Sequence, residues 1–414
     1  MKSFLLFIPF VSIGFGAEES NCSVDGGKAT LQRVGHLPSQ GCNGIEFFEA
    51  DATLSKLGFL AVANFWDGSS RDMGAKSSLF STDEDDGDFG TTLRQEFDGK
   101  GAHGVDSFQM GDYRFLTIPS YYGCDKKNDL GCKSTHLYKF DQLRETFVLH
   151  QALHTQGPSQ TDHLISPGGS EALLFVAENF ANRVSIWGFN SNTQLFEHNE
   201  SLGCPGVAAI ALSRTREIYG EPTYLAAASY HDNGWETESL LFIKKQEDTS
   251  FKLFQKLLTH GAHDAEMLVF NGSIFLFMSE DRVEETPKIN SQLFVLDDKV
   301  PSGLFVKVQD ISTDGAHAAE LFVSKNSQLF LAVANFGDRL GGRILSMSSL
   351  FRWTDGRMVL QQDIGSFGAT DFEHFHYRGE DYLVLCNEGD IAAKGIQEES
   401  PVFILRDVIE DASR

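Results

Sequence analysis

The chain has 414 residues, with 34 Lys and Arg against 58 Asp and Glu, a formal charge of −24 at pH 7, 35 Phe and six Cys. So negative a surface opposes nucleic acids and anionic membranes as partners, and favours basic protein surfaces and divalent cations. Aromatic residues at this density suit pleated, half-buried sheet surfaces.

In chain order, residues 1–16 have the form of a secretory signal. Lys2 supplies the positive start, residues 4–13 the apolar stretch, and Gly14-Phe15-Gly16 the small-residue cleavage site. The stretch is too short to span a bilayer. A short N-terminal segment follows at 17–28, and then a strand is predicted over 29–34, Ala-Thr-Leu-Gln-Arg-Val. Beyond it one motif returns seven times, opened by Gly41, Gly101, Gly157, Gly203, Gly261, Gly315 and Gly368 at spacings of 46 to 60 residues. It is plainest as Gly-Ala-His-x-x-Glu at 261–266 and 315–320. Self-similarity at such a period is the mark of a repeat architecture.

Four short segments recur in each period. Five residues after the Gly stands an acid: Glu46, Asp106, Asp162, Glu266, Glu320 and Glu373, with Ala208 in the fourth copy. An apolar run ending in Asn or Ser follows, as at 59–64, 174–179, 224–229 and 330–335; the other copies end at Ser120, Ser279 and Asn387. An aliphatic–aromatic pair is third, such as Leu79-Phe80 and Leu350-Phe351. Fourth is a Gln six residues before the next Gly (Gln95, Gln151, Gln255, Gln309, Gln362), with Glu197 in that place before Gly203. Short Val-, Leu-, Ile- and Phe-rich runs separated by Gly, Asp, Asn and Ser read as strands and turns.

The predicted fold is all-β: a seven-bladed β-propeller of four-stranded blades over 29–408, with a tail at 409–414. One such sheet cannot cover both apolar faces by itself, whereas sheets packed face to face around an axis can. The seventh copy lacks its Gln segment, and 29–34 supplies one. The N-terminal strand is therefore expected to complete the last blade and close the ring.

The repeats resemble those of the EAR (epitempin, or EPTP) family. The Gly-Ala-x-x-x-Glu-x-Phe start, the run at 330–335, Ser348-Ser-Leu-Phe-Arg-Trp353 and Gln361-Gln-Asp-Ile-Gly-Ser-Phe-Gly-Ala369 carry the likeness, which extends over nearly all of the chain after the signal. The family includes the leucine-rich glioma-inactivated proteins and the thrombospondin-domain EAR-repeat protein. The resemblance implies a secreted seven-bladed propeller that binds cell-surface receptors without catalysis. This chain has no leucine-rich repeats and no thrombospondin-type domain beside the repeats.

The periodic acid is the leading chemical feature. The Gly segment directly follows the outer strand of the preceding blade, so it should be innermost. Glu46, Asp106, Asp162, Glu266, Glu320 and Glu373 would then ring the axis, where crowded carboxylates need protons or a cation such as Ca²⁺. The alternative is that each acid accepts hydrogen bonds from its own or the next blade's backbone. His103, His263 and His317 recur two residues after the Gly and could in principle bind zinc. They belong to blades two, five and six, and are expected to be turn histidines that do not meet. The acidic run at 83–88 reads as an exposed hairpin turn.

Cys124 and Cys132, in one loop, are expected to pair. Cys22, Cys42, Cys204 and Cys386 allow three pairings or free thiols, and Cys386 lies within an apolar run. Asn21, Asn199 and Asn271 head glycosylation sequons. No nucleophile elbow, HExxH or phosphate-binding loop is present. The expected function is a secreted, non-catalytic module for protein binding or cell adhesion, with contacts on loops such as 65–76, 122–134 and 388–400. The alternatives are an acidic extracellular matrix protein, of a calcified matrix for instance, that binds Ca²⁺, and a propeller hydrolase with acids at the channel mouth.

Overall fold

The computed structural model describes residues 28–39, 41–49, 58–65, 75–85, 88–122, 134–213, 222–231, 234–284, 286–297, 299, 303–338, 345–389 and 399–407. The expected signal at 1–16, Asn21, Cys22 and the expected Cys124–Cys132 pair lie outside them.

The described residues form 28 strands and no helix. β1 is Ala29–Leu37. The first unit is β2 (Cys42–Glu49), β3 (Gly58–Asn64), β4 (Ser77–Asp85) and β5 (Asp88–Phe97); the second is β6 (Asp106–Met110), β7 (Tyr113–Pro119), β8 (Thr135–Asp141) and β9 (Thr146–Leu153). The third is β10 (Pro158–Ile165), β11 (Ala172–Glu178), β12 (Arg183–Asn190) and β13 (Leu195–Gly203); the fourth is β14 (Val207–Leu212), β15 (Thr223–Ser229), β16 (Glu236–Lys244) and β17 (Lys252–His260). The fifth is β18 (Ala262–Phe270), β19 (Ser273–Glu280), β20 (Lys288–Leu296) and β21 (Phe305–Asp314); the sixth is β22 (Ala316–Val323), β23 (Leu329–Asn335), β24 (Leu345–Thr354) and β25 (Arg357–Phe367). The last strands are β26 (Ala369–Tyr377), β27 (Glu380–Asn387) and β28 (Ser400–Asp407).

Units two to six are separate antiparallel sheets of four strands in sequence order. β1 lies antiparallel against β28, with Ala29 opposite Asp407 and Leu37 opposite Ser400, so the last unit runs β26-β27-β28-β1. A single parallel pairing, Gly35 with Phe89, joins β1 to β5 and merges the last and first units into one eight-stranded sheet. The first strands of successive units adjoin one another from β2 through β26, and β26 adjoins β2. The architecture is that of a β-propeller.

Burial explains the sequence pattern within a unit. The second strands are covered on both faces, and β3 and β23 are buried at every position. That is why they read as unbroken apolar runs rather than alternating ones. Except where β5 meets β1, the fourth strands lie at the edge and alternate, as in the e-e-i-i-e-B-e-B-i order of β17. The core lies between units. Phe322, Phe330 and Leu350 of the sixth pack on Phe372, Leu383 and Phe403 of the seventh, with Leu31 of β1 among them. Ile45, Leu60 and Phe80 of the first meet Tyr382, Val384 and Ile404 across the seam between last and first. Each such side chain contributes about 1.5–3 kcal/mol.

The Gln segment acts as a clamp. The Gln309 amide donates to the carbonyl of Met358 at 3.0 Å and accepts from its N–H at 2.7 Å. Gln95 holds Phe147, Gln151 holds Phe196 and Gln255 holds Phe305 in the same two-bond way. Gln362 does so with Leu31 of β1. Between the last and first units, Gly35 stands opposite Val402, in the place that Gln holds in five of the other units. A Cβ there would fall 2.5 Å from the carbonyl oxygen of Phe89, so the direct backbone pairing requires glycine.

Three sequence assignments shift in register. The fourth motif glycine is Gly206, not Gly203: its φ of 65° matches the 56–64° of the other six, and its carbonyl accepts from Tyr230 as Gly315 accepts from Phe336. The clamp position before it is consequently Glu200, opposite Ile186, rather than Glu197. The second strands of units three and five end at Glu178 and Glu280, in register with Asn335 of unit six. These side chains share one task. Asn335 Oδ1 accepts from Asp314 N–H, as Glu178 and Glu280 accept from Gln156 and His260, capping the residue before each motif glycine.

Cys42 and Cys386 form a disulfide that ties β2 to β27 across that same seam, which decides the open pairing of Cys386. Cys204 is a buried thiol, and burial pushes it up to about 12. Asn199 and Asn271 are exposed. β4 and β5 form the hairpin expected around the acidic run, with Asp85 opposite Asp88.

Candidate functional site

The first strand of every unit lines a central cavity of about 370 Å³. All six periodic acids reach it: Glu46, Asp106, Asp162, Glu266, Glu320 and Glu373. In the fourth unit the equivalent position, five residues after Gly206, is Ala211.

A bulge near the start of each first strand organises the mouth of this channel. Pairing with the second strand slips by one residue between Cys42 and Gly44, Pro158 and Gln160, Val207 and Ala209, Ala262 and Asp264, Ala316 and Ala318, and Ala369 and Asp371. The same slip separates Ala102 from Asp106. The extra residue turns its side chain out of the ladder. Asn43, His103, Ser159, Ala208, His263, His317 and Thr370 therefore gather around the axis.

These residues hand hydrogen bonds from unit to unit. Ser159 Oγ donates to the Ala208 carbonyl. His263 Nδ1 donates to the His317 carbonyl at 3.1 Å, and His317 Nδ1 to the Thr370 carbonyl at 2.9 Å. Thr370 Oγ1 donates to the Cys42 carbonyl at 2.8 Å. A carbonyl oxygen can only accept, so Nδ1 carries the proton in both histidines.

The three motif histidines meet, contrary to the expectation from their blade numbers. Ring centroids of His263 and His317 are 3.7 Å apart, and that of His103 lies 5.7 and 6.1 Å from them. Neighbourhood on the perimeter is irrelevant at the axis, where side chains from opposite sides of a ring converge. These histidines sit on bulges, not turns. Phe65 and Tyr121 pack on His103, Tyr230 on His263 and Phe336 on His317.

Deeper in the channel the carboxylates bridge units. Asp162 accepts from Leu212 N–H at 2.9 Å, Asp264 from Ala319 N–H at 3.0 Å, Asp371 from Ile45 N–H at 3.0 Å and Glu373 from Phe47 N–H at 2.8 Å. Glu46 accepts from Ser107 Oγ at 2.8 Å, and Asp106 faces His163 Nδ1 at 2.9 Å. The acid of one unit thus supplies the acceptor that the next unit's first strand lacks, since no ladder runs between first strands. Asp264 and Asp371, two residues before Glu266 and Glu373, form a second acidic layer missed from the sequence. The i, i+2 spacing on one strand face is the signal that reveals it.

Charge accumulates there at a cost. Burial pushes Asp264 up to about 6, against hydrogen bonds from Ala319, Ala265 and Gln160. Burial, then the charges of Glu266, Glu373, Asp371 and Glu46, hold Glu320 well above the ordinary carboxylate range. Burial and Asp264 do the same to Asp371; burial and Glu46 do it to Glu373. Protons or a cation relieve such crowding.

The sequence pattern of the EPTP domain matches residues 358–389, the stretch from β25 to just past the end of β27. Over 96 residues the chain is 36% identical to the thrombospondin-type laminin G domain and EAR repeat-containing protein of Mus musculus, a match spanning 22% of this chain and 14% of that protein. Two solved structures, provisionally assigned as 6-phosphogluconolactonases, share the fold. That of Bacteroides uniformis has a TM-score of 0.51 at 11% identity, covering 80% of this chain and 87% of its own. That of Bacteroides fragilis has a TM-score of 0.52 at 12% identity, covering 84% and 98%. At such identities the likeness concerns the fold alone.

Proposed function

We propose that the chain is an EAR (EPTP) repeat protein, as the pattern at 358–389 and the 36% likeness to an EAR repeat-containing protein support, and that it is a secreted, non-catalytic module that binds a protein at the cell surface. It works as a seven-bladed propeller closed by its N-terminal strand. The cyclic adjacency of first strands and the β1–β28 pairing support that closure. The observation that carries the non-catalytic reading is how the channel acids are used. Asp162, Asp264, Asp371 and Glu373 each accept a backbone N–H of the next unit. Carboxylates spent on holding strands together are poorly placed for acid–base work on a substrate. This weighs against a hydrolase at the channel mouth.

The contact surface is proposed on the connections between second and third strands. The long ones, after Asn64, Ser120 and Asn387, belong to the first, second and last units, which are neighbours; their tips lie outside the described residues. Purified protein added to intact cells is expected to bind saturably, and to lose that binding when the cells are first treated with trypsin. Non-saturable or trypsin-indifferent binding would overturn this reading.

A second reading concerns the channel, where the upward-shifted Glu320, Asp371 and Glu373 favour a bound cation. Ca²⁺ among Glu46, Glu266, Glu320 and Glu373 would suit an acidic matrix protein. It predicts a native mass larger by one Ca²⁺ that chelator removes. An unchanged mass counts against it.

A further inference from the structure

We propose that His103, His263 and His317 form a zinc site at the mouth of the axial channel, distinct from the carboxylate layers below it. One ring nitrogen from each histidine lies within 4.8 Å of the others. Tetrahedral zinc with Zn–N bonds of about 2.0–2.1 Å holds its nitrogens roughly 3.3 Å apart. The rings need to close by only about an ångström or so to reach that spacing, a change small side-chain rotations can supply.

The preparation of the rings resembles that of metal-binding histidines. Such residues donate the second ring N–H to a carbonyl or carboxylate, which fixes the tautomer and raises the basicity of the ligand nitrogen. His263 and His317 do this through Nδ1, to the carbonyls of His317 and Thr370. Nε2 is then the nitrogen that bears the lone pair. Both rings are buried, at 8% and 4% exposure. His103 is half-buried and closes the trio from the other side of the axis. Phe65, Tyr121, Tyr230 and Phe336 around the rings hold them in place and limit water.

Chemistry selects the metal. Three imidazoles and no carboxylate suit zinc and other imidazole-binding ions, whereas Ca²⁺ and Mg²⁺ take oxygen ligands. Three protein ligands leave a fourth position, which can face the channel and take water or a ligand side chain. A metal there would bind the second, fifth and sixth units to one another across the axis, a tie that hydrogen bonds around the ring do not make.

The test is titration of the purified, full-length protein with Zn²⁺ in the presence of excess Ca²⁺, read by native mass and by competition with a zinc-binding dye. One equivalent is expected to bind. His103→Gln, on the least buried of the three, is expected to weaken it roughly tenfold or more, since even losing an outer partner of a ligand costs about that much. The double variant Glu320→Gln/Glu373→Gln is expected to keep zinc binding while abolishing any Ca²⁺ held by the acids, which separates the two sites. In the unaltered protein, zinc should shift the ring-proton resonances of three histidines. The proposal is overturned if no equivalent of zinc binds, if His103→Gln binds it as tightly as the parent, or if those resonances do not move.

Discussion

The Nδ1–H of His317 donates to the carbonyl oxygen of Thr370 at 2.9 Å, and the hydroxyl of Thr370 passes the chain onward to the carbonyl of Cys42 at 2.8 Å. Two side chains in successive units thus link the sixth, seventh and first units at the axis. Thr370 also reaches the Cys386 carbonyl at 3.3 Å and is almost fully buried. Thr370→Val keeps the shape and removes the donor, so it should cost about 1–3 kcal/mol. Urea unfolding of the variant beside the parent measures it; an unchanged midpoint would mean these bonds add nothing net.

The Cys42–Cys386 disulfide closes a loop of 344 residues between β2 and β27. Cross-links over long loops restrict the unfolded chain most, and losing a native one costs about 2–5 kcal/mol. The pair Cys42→Ser/Cys386→Ser is expected to lower the melting temperature. In the parent, a reductant should slow migration on a denaturing gel, because the released chain expands. Equal mobility with and without reductant would exclude the bridge.

The clamps make opposite predictions at two equivalent positions. Gln309→Ala removes two hydrogen bonds to Met358 and should destabilise by roughly 1–3 kcal/mol. Glu200 occupies the same place in the third unit, and an ionised carboxylate cannot donate to a carbonyl. Glu200→Gln should therefore stabilise, by about 0.5–1.5 kcal/mol. Denaturant midpoints for both variants decide this, and a loss of stability in Glu200→Gln would contradict the assigned register.

The channel acids make stability depend on pH in an unusual direction. Asp264, Glu320, Asp371 and Glu373 are raised on folding, so the folded state holds protons that the unfolded chain has released. Their stabilising effect is complete below the unfolded carboxylate range, about 4, and is lost as pH rises through their folded values, about 6 for Asp264. Glu320→Gln should consequently melt higher than the parent at pH 7.5 in chelator, with the gap closing toward pH 4. A gap that grows on acidification would have the wrong sign.

Much of the architecture was legible from local pattern. The φ-positive glycine, the apolar second strand and the Gln recur because each unit solves the same burial problem. The strand read at 29–34 goes to the last unit by what that unit's sequence lacks, and the structure extends it to Leu37. Register was less legible. Gly203 and Gly206 differ by three residues and look alike on paper; only the left-handed φ of Gly206 and its bond from Tyr230 identify the one that serves. Shifting that glycine moves Glu200 into the place assigned to Glu197.

Sequence by itself determined the repeat, the all-β class and the innermost position of the Gly segment. These follow from strand periodicity, which is a local property of the chain. Only the tertiary structure decided that Cys42 meets Cys386, that Asp264 and Asp371 join the acids, and that His103, His263 and His317 share one space. The physical reason is convergence. At the axis, residues 53 to 328 positions apart are hydrogen-bonded to one another, and spacing along the chain carries no measure of distance across a ring.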